Sequence, residues 1–359
     1  MNILFFLPSI KNRGGVERAT VSLLNSFAAN NSYQVFLMVF SFNKADNAFP
    51  IDANITIIDL GINNYKRQFF SLFKRIRHEI SRHKISHFVT VETMGMLFTF
   101  LPIFTLYKRP KYIVWEHFNF KNNNGKILRS FLRRLAAQCA DLIVTLTARD
   151  VITWKEHLHV KKAITYIYNI SPFEEVNSSY NIASKKVISV GRYVPVKGFD
   201  RLIRIWSIVE NKYKIEGWEL SIVGYGELKA DLQNLINTLK CTSVQLVDGS
   251  SNVMDHYKDA ALYCMTSYYE GLPMVLIEAQ SFGLPAISFD IYAGPSEIFA
   301  GGSGLLVKDN DLAAYAEGLY RLISSENIRK ELSDKALRNR EIFKGKKIAN
   351  LWLENLQKL

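Results

Sequence analysis

Two glutamates eight residues apart, Glu270 and Glu278, stand in the segment SYYEGLPMVLIEAQ at 267–280. Glu270 precedes Gly271 and Pro273 at the mouth of an expected helix, and Glu278 lies two turns into its apolar run, MVLIEA. A carboxylate on such a face needs a partner. A ligand hydroxyl is one such partner for Glu278, while the helix N-terminus near Met274 suits an anion or a sugar oxygen. The plainer alternative is a helix cap together with a carboxylate paired to a neighbouring side chain. Upstream, Arg192 and Lys197 lie five residues apart, between the apolar run ending VISVG and a helix expected from about Phe199. Two cations at a strand end beside a helix N-terminus can clamp a diphosphate, the guanidinium bidentately and the ammonium as a point charge. Ordinary surface ion pairs are the alternative. Gly224-Tyr225-Gly226 closes the next strand, and its glycines either let backbone approach a flat ligand or simply make a turn.

Positioning these groups requires strand ends, and the sequence supplies them. Short runs rich in Ile, Val and Phe alternate with helical periods, the pattern of parallel sheets joined by crossover helices. Strands are expected at 2–7, 34–40, 56–60, 87–91, 112–115, 142–145 and 163–167, then at 186–190, 219–223, 244–247, 262–265, 286–289 and 304–307. The fold class is therefore α/β, as two doubly wound Rossmann-like domains facing a central cleft into which both sheets point their carboxyl ends. Residues 1–175 form the first domain and 176–345 the second, the boundary falling where SPFEEVNSSYNIAS at 171–184 breaks the periodicity. In the terminal segment 346–359, Ile348, Leu351, Trp352 and Leu359 keep helical spacing, so this helix must dock, one place being back across the cleft. No dinucleotide fingerprint is present, since the two first turns read PSIKNRGGVER and VGRYVPVKG, and there is no P-loop.

Composition narrows the partners. The 359 residues carry a formal charge of +12, and residues 1–180 hold 23 Lys/Arg against 12 Asp/Glu, so nearly all of the excess belongs to the first domain. An anionic partner is implied for that domain. Cys139, Cys241 and Cys264 fit neither a disulfide framework nor a zinc site, which points to a reducing cytosol. The N-terminal apolar run is expected to be a first strand and not a cleaved signal peptide, and the uncharged stretch 94–107, broken by Pro102, falls short of a span and reads as a buried helix.

Taken in order, Gly14-Gly15-Val16-Glu17-Arg18 after the first strand, VGRYVPVKGFDRL at 190–202, IVGYGEL at 222–228 and the pair Glu270 and Glu278 resemble the GT-B glycosyltransferases of family 4, which are retaining nucleotide-sugar transferases. The resemblance spans nearly the whole chain. It is closest to bacterial enzymes assembling O-antigen, lipopolysaccharide, capsule or exopolysaccharide, which also carry sequences like Gly294-Pro295-Ser296-Glu297. It implies a hexose or N-acetylhexosamine donor, UDP-linked by analogy, held in the second domain, and a lipid-diphosphate-linked saccharide acceptor taken by the first. Gly14 and Gly15 with Arg192 and Lys197 would hold the diphosphate, and Glu278 the ribose hydroxyls. Gly224 would lie along the donor. Glu270 would hold the donor sugar, helped by the backbone of Gly271, Leu272, Pro273 and Met274. His117, after the apolar run YIVW, matches the family's histidine facing that sugar, with a satisfied polar strand end as the alternative. Glu116 either orients the loop or meets the acceptor. Catalysis would rest on Glu270, His117, Arg192 and Lys197.

No cofactor and no metal are expected. Asp309-Asn310-Asp311 precedes the apolar-periodic LAAYAEGL and reads as a helix cap before it reads as a metal site. Two basic amphipathic segments, 66–84 and 126–135, read as membrane-surface elements, with Lys74, Arg75, Arg129 and Arg133 among the cations; a solvated face is the alternative. The protein is thus expected at the inner face of the cytoplasmic membrane, with no nucleic-acid partner since no reader motif accompanies the charge. A nucleotide-sugar epimerase or hydrolase of the same fold, or an inert binding protein, are the competing readings.

Overall fold

The computed structural model describes every residue except 13, 30–32, 123–124, 126, 174–175, 177–179 and 250–252. The chain forms two units, Met1–Pro172 with Phe343–Leu359, and Phe173–Ile342. They part three residues before the expected boundary.

In the first unit, strands β1 (Asn2–Phe6), β2 (Gln34–Val39), β3 (Thr56–Asp59), β4 (His87–Val91), β5 (Lys111–Trp115), β6 (Leu142–Thr145) and β7 (Ala163–Tyr166) make one parallel sheet. Its order is β3-β2-β1-β4-β5-β6-β7. Helices α1 (Gly15–Ala28), α2 (Phe69–Arg82), α3 (Met96–Phe104), α4 (Ile127–Cys139) and α5 (Ala148–His157) are the crossovers. The central strands are apolar at almost every position because both faces are covered. Leu4, Phe6, Phe88 and Val114 on one face pack with Leu72, Ile76, Leu132 and Trp154 from α2, α4 and α5. Phe5 and Trp115 on the other meet Phe27 of α1 and Trp352. The strand order reverses direction between β1 and β4, which makes that pair the switch point where a doubly wound sheet opens a crevice. The stretch expected as a buried helix is only half so. Met96, Thr99, Pro102 and Ile103 of α3 are buried, but Leu97 and Leu101 are exposed, because a helix laid over a sheet must turn one face outward.

The second unit repeats the plan with β8 (Lys186–Val190), β9 (Glu219–Gly224), β10 (Val244–Asp248), β11 (Leu262–Met265), β12 (Ala286–Asp290) and β13 (Leu305–Lys308) in the order β10-β9-β8-β11-β12-β13, all parallel. Helices α6 (Phe199–Tyr213), α7 (Lys229–Thr238), α8 (Val253–Lys258), α9 (Met274–Ser281), α10 (Pro295–Ile298), α11 (Leu312–Ser324) and α12 (Glu326–Asn339) connect and cover them. Its switch point is the pair β8 and β11.

The chain then returns to the first unit as α13 (Gly345–Gln357). Ile348, Trp352 and Leu356 recur every four residues on its buried face, and the Leu356 carbonyl meets His87 Nε2 at 3.1 Å. Trp352 packs edge-on against Trp115 with ring centroids 5.1 Å apart. Leu351, expected on that face, is exposed, because it lies a quarter-turn from Trp352.

Candidate active site

In the second unit the expected donor residues gather at the carboxyl ends of β8 and β11. The loop after β8 ends in a 3-10 turn, Pro195–Lys197, followed by Gly198 at φ +62°. A side chain at 198 would stand 2.1 Å from the Thr266 carbonyl, so glycine is what lets this loop close on the one after β11. The Tyr268 amide donates to the Val196 carbonyl at 2.9 Å, and Lys197 Nζ reaches Glu270 Oε1 at 2.7 Å. Ser267 Oγ donates to that same oxygen at 2.8 Å. Lys197 and Glu270 therefore form one unit of opposite charges, both partly open to solvent. Arg192 is exposed and pairs with none of the described residues. The ion-pair alternative accordingly holds for Lys197 and not for Arg192.

Glu278 is buried on α9, where Tyr257 of α8 donates to its Oε2 at 2.8 Å. A carboxylate has about four acceptor sites, so this bond does not exhaust it. Gly271, Leu272, Pro273 and Met274 form the turn that opens α9, with Leu272 and Pro273 buried. Gly224 has a structural explanation, since a side chain there would lie 1.8 Å from the Gly191 carbonyl. The close approach it permits is between the strand ends of β8 and β9 themselves.

Arg201, unmarked in the sequence reading, organises this loop. It is buried on α6 between the Tyr268 and Phe289 rings, with its guanidinium carbon 4.1 and 4.2 Å from their centroids, and it donates to the carbonyls of Thr266 and Ser267. It also binds Asp309 at 2.9 Å. Asp311 caps α11 by accepting from the Ala314 amide at 2.9 Å. Both carboxylates of the expected cap thus have structural partners.

In the first unit Gly14 and Gly15 open α1 after β1. A Cβ at 15 would meet nothing within 4 Å, so the fold does not need glycine there. His117 follows β5, is buried beside the Trp115 ring, and its Nε2 has no hydrogen-bond partner among the described residues. Burial lowers its pKa to about 4 against the opposing pull of Glu116, so the imidazole is neutral at physiological pH.

The structure answers the question left open for Glu116. Its carboxylate is wholly buried between two arginines of α4, accepting from Arg129 Nη1 at 3.2 Å and Arg133 Nε at 3.1 Å, with Thr93 Oγ1 at 2.7 Å and the Phe118 amide at 3.0 Å. Burial opposes its ionisation, but Arg133, Arg129 and these hydrogen bonds outweigh that and hold its pKa below the ordinary value. Arg133 also donates to the carbonyls of Phe118, Asn119 and Phe120, closing the loop that carries His117. Glu116 orients that loop.

This corrects the expected membrane face of α4. Arg129 and Arg133 are each 1% exposed, because the buried carboxylate immediately after β5 demands cations and the helix turns them inward. Outward it presents Ile127, Leu128 and Phe131 with Arg134. Lys126 lies outside the described residues. On α2, Lys74 is exposed alongside Phe69 and Phe70, and Arg75 donates to the Leu60 carbonyl.

Sequence reading missed Arg201, Tyr257, Arg129 and Arg133 as site-building residues. Arg201, Arg129 and Arg133 each fall in an apolar helical stripe, at 201, 202 and 205 and at 129, 132, 133 and 136, which is the signal that could have exposed them.

The family model for glycosyl transferases group 1 matches residues 173–339, which lie wholly in the second unit. An uncharacterized glycosyltransferase of Haemophilus influenzae is 31% identical over 97% of this chain and 98% of its own length. The amylovoran biosynthesis glycosyltransferase AmsD of Erwinia amylovora is also 31% identical, over 98% of each chain. A Campylobacter jejuni α-1,4-N-acetyl-D-galactosaminyltransferase, named for a diphospho-undecaprenol-linked saccharide, is 26% identical over 99% of this chain and 98% of its own. Among solved structures, Anabaena HepE in complex with UDP superposes with a TM-score of 0.82 over the whole of both chains at 15% identity, a likeness of fold. The paired Rossmann-like units, the loops joined by Lys197 and Glu270 and these full-length similarities lead to one conclusion: the chain belongs to the group 1 glycosyl transferases and has the GT-B fold.

Proposed function

We propose that the protein transfers a hexose or N-acetylhexosamine from UDP to a lipid-diphosphate-linked saccharide during assembly of a cell-surface polysaccharide, with retention of anomeric configuration and without a metal. The observation that carries this reading is the 2.7 Å pairing of Lys197 with Glu270, which joins two segments 73 residues apart at the switch point of the second sheet, beside the exposed Arg192. Sugar transfer builds positive charge on the sugar ring and negative charge on the leaving phosphate. Arg192 and Lys197 stabilise the phosphate, and Glu270 holds the sugar hydroxyls where cleavage leaves a cation. Glu278, oriented by Tyr257, takes the ribose. The neutral His117 is suited to hydrogen-bond a sugar hydroxyl, which a buried imidazolium would do at much greater cost. AmsD supports the polysaccharide context, and the Campylobacter relative supports an acceptor carried on a lipid diphosphate. The neighbour holding UDP supports the nucleotide.

The first unit would rest on the anionic inner leaflet. Phe69, Phe70, Ile127 and Phe131 are exposed near the N-termini of α2 and α4, helices whose N-termini follow the carboxyl ends of β3 and β5. Exposed apolar side chains flanked by cations are what an interfacial surface presents. Among the described residues no helix is long and apolar enough to cross a membrane.

The test is transfer of radiolabelled sugar from a panel of nucleotide sugars to undecaprenyl-diphosphate saccharides, with the anomer of the product read by NMR and the assay repeated in excess EDTA. The reading expects an α-linked product from an α-linked donor, formed in EDTA as without it. Turnover of donor at full rate without acceptor would replace the transferase by a hydrolase or epimerase. Loss on chelation restored by manganese would overturn metal independence.

A further inference from the structure

The proposed chemistry places two demands on Lys197. It is paired with Glu270 at 2.7 Å, and it is also one of the two cations assigned to the leaving diphosphate. A diphosphate arriving beside it competes for the same ammonium, a point charge on a flexible stem. Glu270 then needs a partner that stays when the donor binds. The Ser267 hydroxyl, which donates to the same Oε1 at 2.8 Å, is such a partner, because it is neutral, only 2% exposed and carried by the same loop as Glu270.

A hydroxyl aims a carboxylate only as well as its own backbone is fixed, and here Arg201 does the fixing. Its Nη2 donates to the Ser267 carbonyl and its Nε to the Thr266 carbonyl, both at 2.5 Å. Its Nη1 reaches Asp309 Oδ1 and Asn310 Oδ1, both at 2.9 Å, in the loop after β13. Thr266 Oγ1 donates to the carbonyl of Gly198, the residue that opens α6, at 2.9 Å, and the Tyr268 amide is bound to Val196. Residues 266–268 are thus held in succession from two other loops and one helix. Burying a guanidinium is costly, and the neighbouring buried positions of α6, Leu202 and Ile205, are filled by aliphatic side chains. What an aliphatic side chain at 201 cannot supply is a rigid fork that binds two successive carbonyls at once.

We propose that Ser267 is a positioning residue for Glu270, braced by Arg201, and that it keeps the carboxylate aimed at the sugar while Lys197 turns to the diphosphate. The role of that carboxylate rests on the transferase reading above, whereas the brace itself does not.

Kinetics of Ser267→Ala, Arg201→Lys and the double variant test this, together with UDP affinity by calorimetry and crystal structures of both single variants. Ser267→Ala should lower kcat about tenfold or more, the loss expected for a hydrogen bond to a charged group, while UDP affinity stays unchanged. In its structure the Glu270 carboxylate should have shifted by about 1 Å or more. Arg201→Lys keeps the charge but not the fork, so it should lower kcat to the same extent and place Ser267 Oγ more than about 3.5 Å from Glu270. The double variant should be no slower than the slower single one, because one residue acts through the other. Unchanged kcat in Ser267→Ala, or losses that multiply in the double variant, would overturn the proposal. Ser267→Ala keeps the test decisive should Arg201→Lys fold poorly. If the wild type transfers no sugar, the transferase reading falls and the structures alone decide the brace: a displaced Glu270 supports it, and an unmoved one overturns it.

Discussion

Lys197 and Arg192 are both cations of one loop, but the structure sets them in different states. Lys197 is already paired with Glu270, whereas Arg192 extends into solvent. Hydrogen bonds to charged groups contribute ~1.5–3 kcal/mol, and ~1.4 kcal/mol is a factor of ten in rate. Arg192→Ala should therefore reduce transfer by about tenfold or more with an unchanged melting temperature. Lys197→Ala should do the same and also destabilise slightly, because it removes a cation paired with Glu270. Parallel kinetics and thermal melts check both, and full turnover by both folded variants would remove the diphosphate assignment. His117 gives a pH signature. Its folded pKa of about 4 lies below the ordinary 6.5, so between those values the unfolded chain binds the extra proton and stability is lost as pH falls. Relative to a His117→Gln variant, the wild type should lose on the order of 3 kcal/mol of unfolding free energy between pH 7 and pH 4. Denaturant titrations of both proteins measure it. Asp150, pushed up to about 7 by burial, works in the opposite sense over this window, which is why the difference between the two proteins is the quantity to read.

At the scale of elements, α4 does two jobs with opposite faces. Inward, Arg129 and Arg133 neutralise Glu116 and close the loop carrying His117. Outward lie Ile127, Phe131 and Arg134. Breaking a buried pair by removing one partner costs ~3–5 kcal/mol, whereas a surface change stays within about 0.5 kcal/mol. Arg133→Met should accordingly lower the melting temperature by roughly 10 °C for a unit of this size, and Arg134→Met should leave it unchanged. Equal effects of the two substitutions in a thermal melt would show that the buried network does not stabilise the unit.

For the whole molecule, the excess charge of residues 1–180 now divides into a buried part and a solvated part. The proposed membrane attachment would draw on Lys66, Arg67, Lys74 and Arg134 with the apolar Phe69, Phe70, Ile127 and Phe131. Each cation near an anionic surface contributes ~1 kcal/mol and is screened over ~8 Å at physiological salt. Insertion of aromatic and aliphatic side chains is not screened. Co-sedimentation with phosphatidylglycerol vesicles should fall in high salt without vanishing, and should vanish when Phe70, Ile127 and Phe131 are changed to Ser and Lys74 to Gln. Equal binding to neutral vesicles, or no effect of the combined change, would leave these helices as ordinary surface.

The amino-acid sequence by itself determined the elements and marked the loops that meet beyond β8 and β11. All thirteen expected strands are present within a residue or two of their expected ends, because runs such as VISV and LIVT that must be covered on both faces have no other stable use. Glu270, Glu278, Arg192 and Lys197 were legible because each sits at a strand end or in an apolar helix where a charge is out of place. Tertiary structure alone decided which charges face inward. An amphipathic pattern shows that α4 is half buried but not that Arg129 and Arg133 belong to the buried half, since their reason for being there is Glu116 on another strand. The same holds for Arg201, whose partners Thr266, Ser267 and Asp309 lie on two other loops. Periodicity encodes burial residue by residue, whereas the pairing of a buried charge is a relation between segments and exists only once they have met.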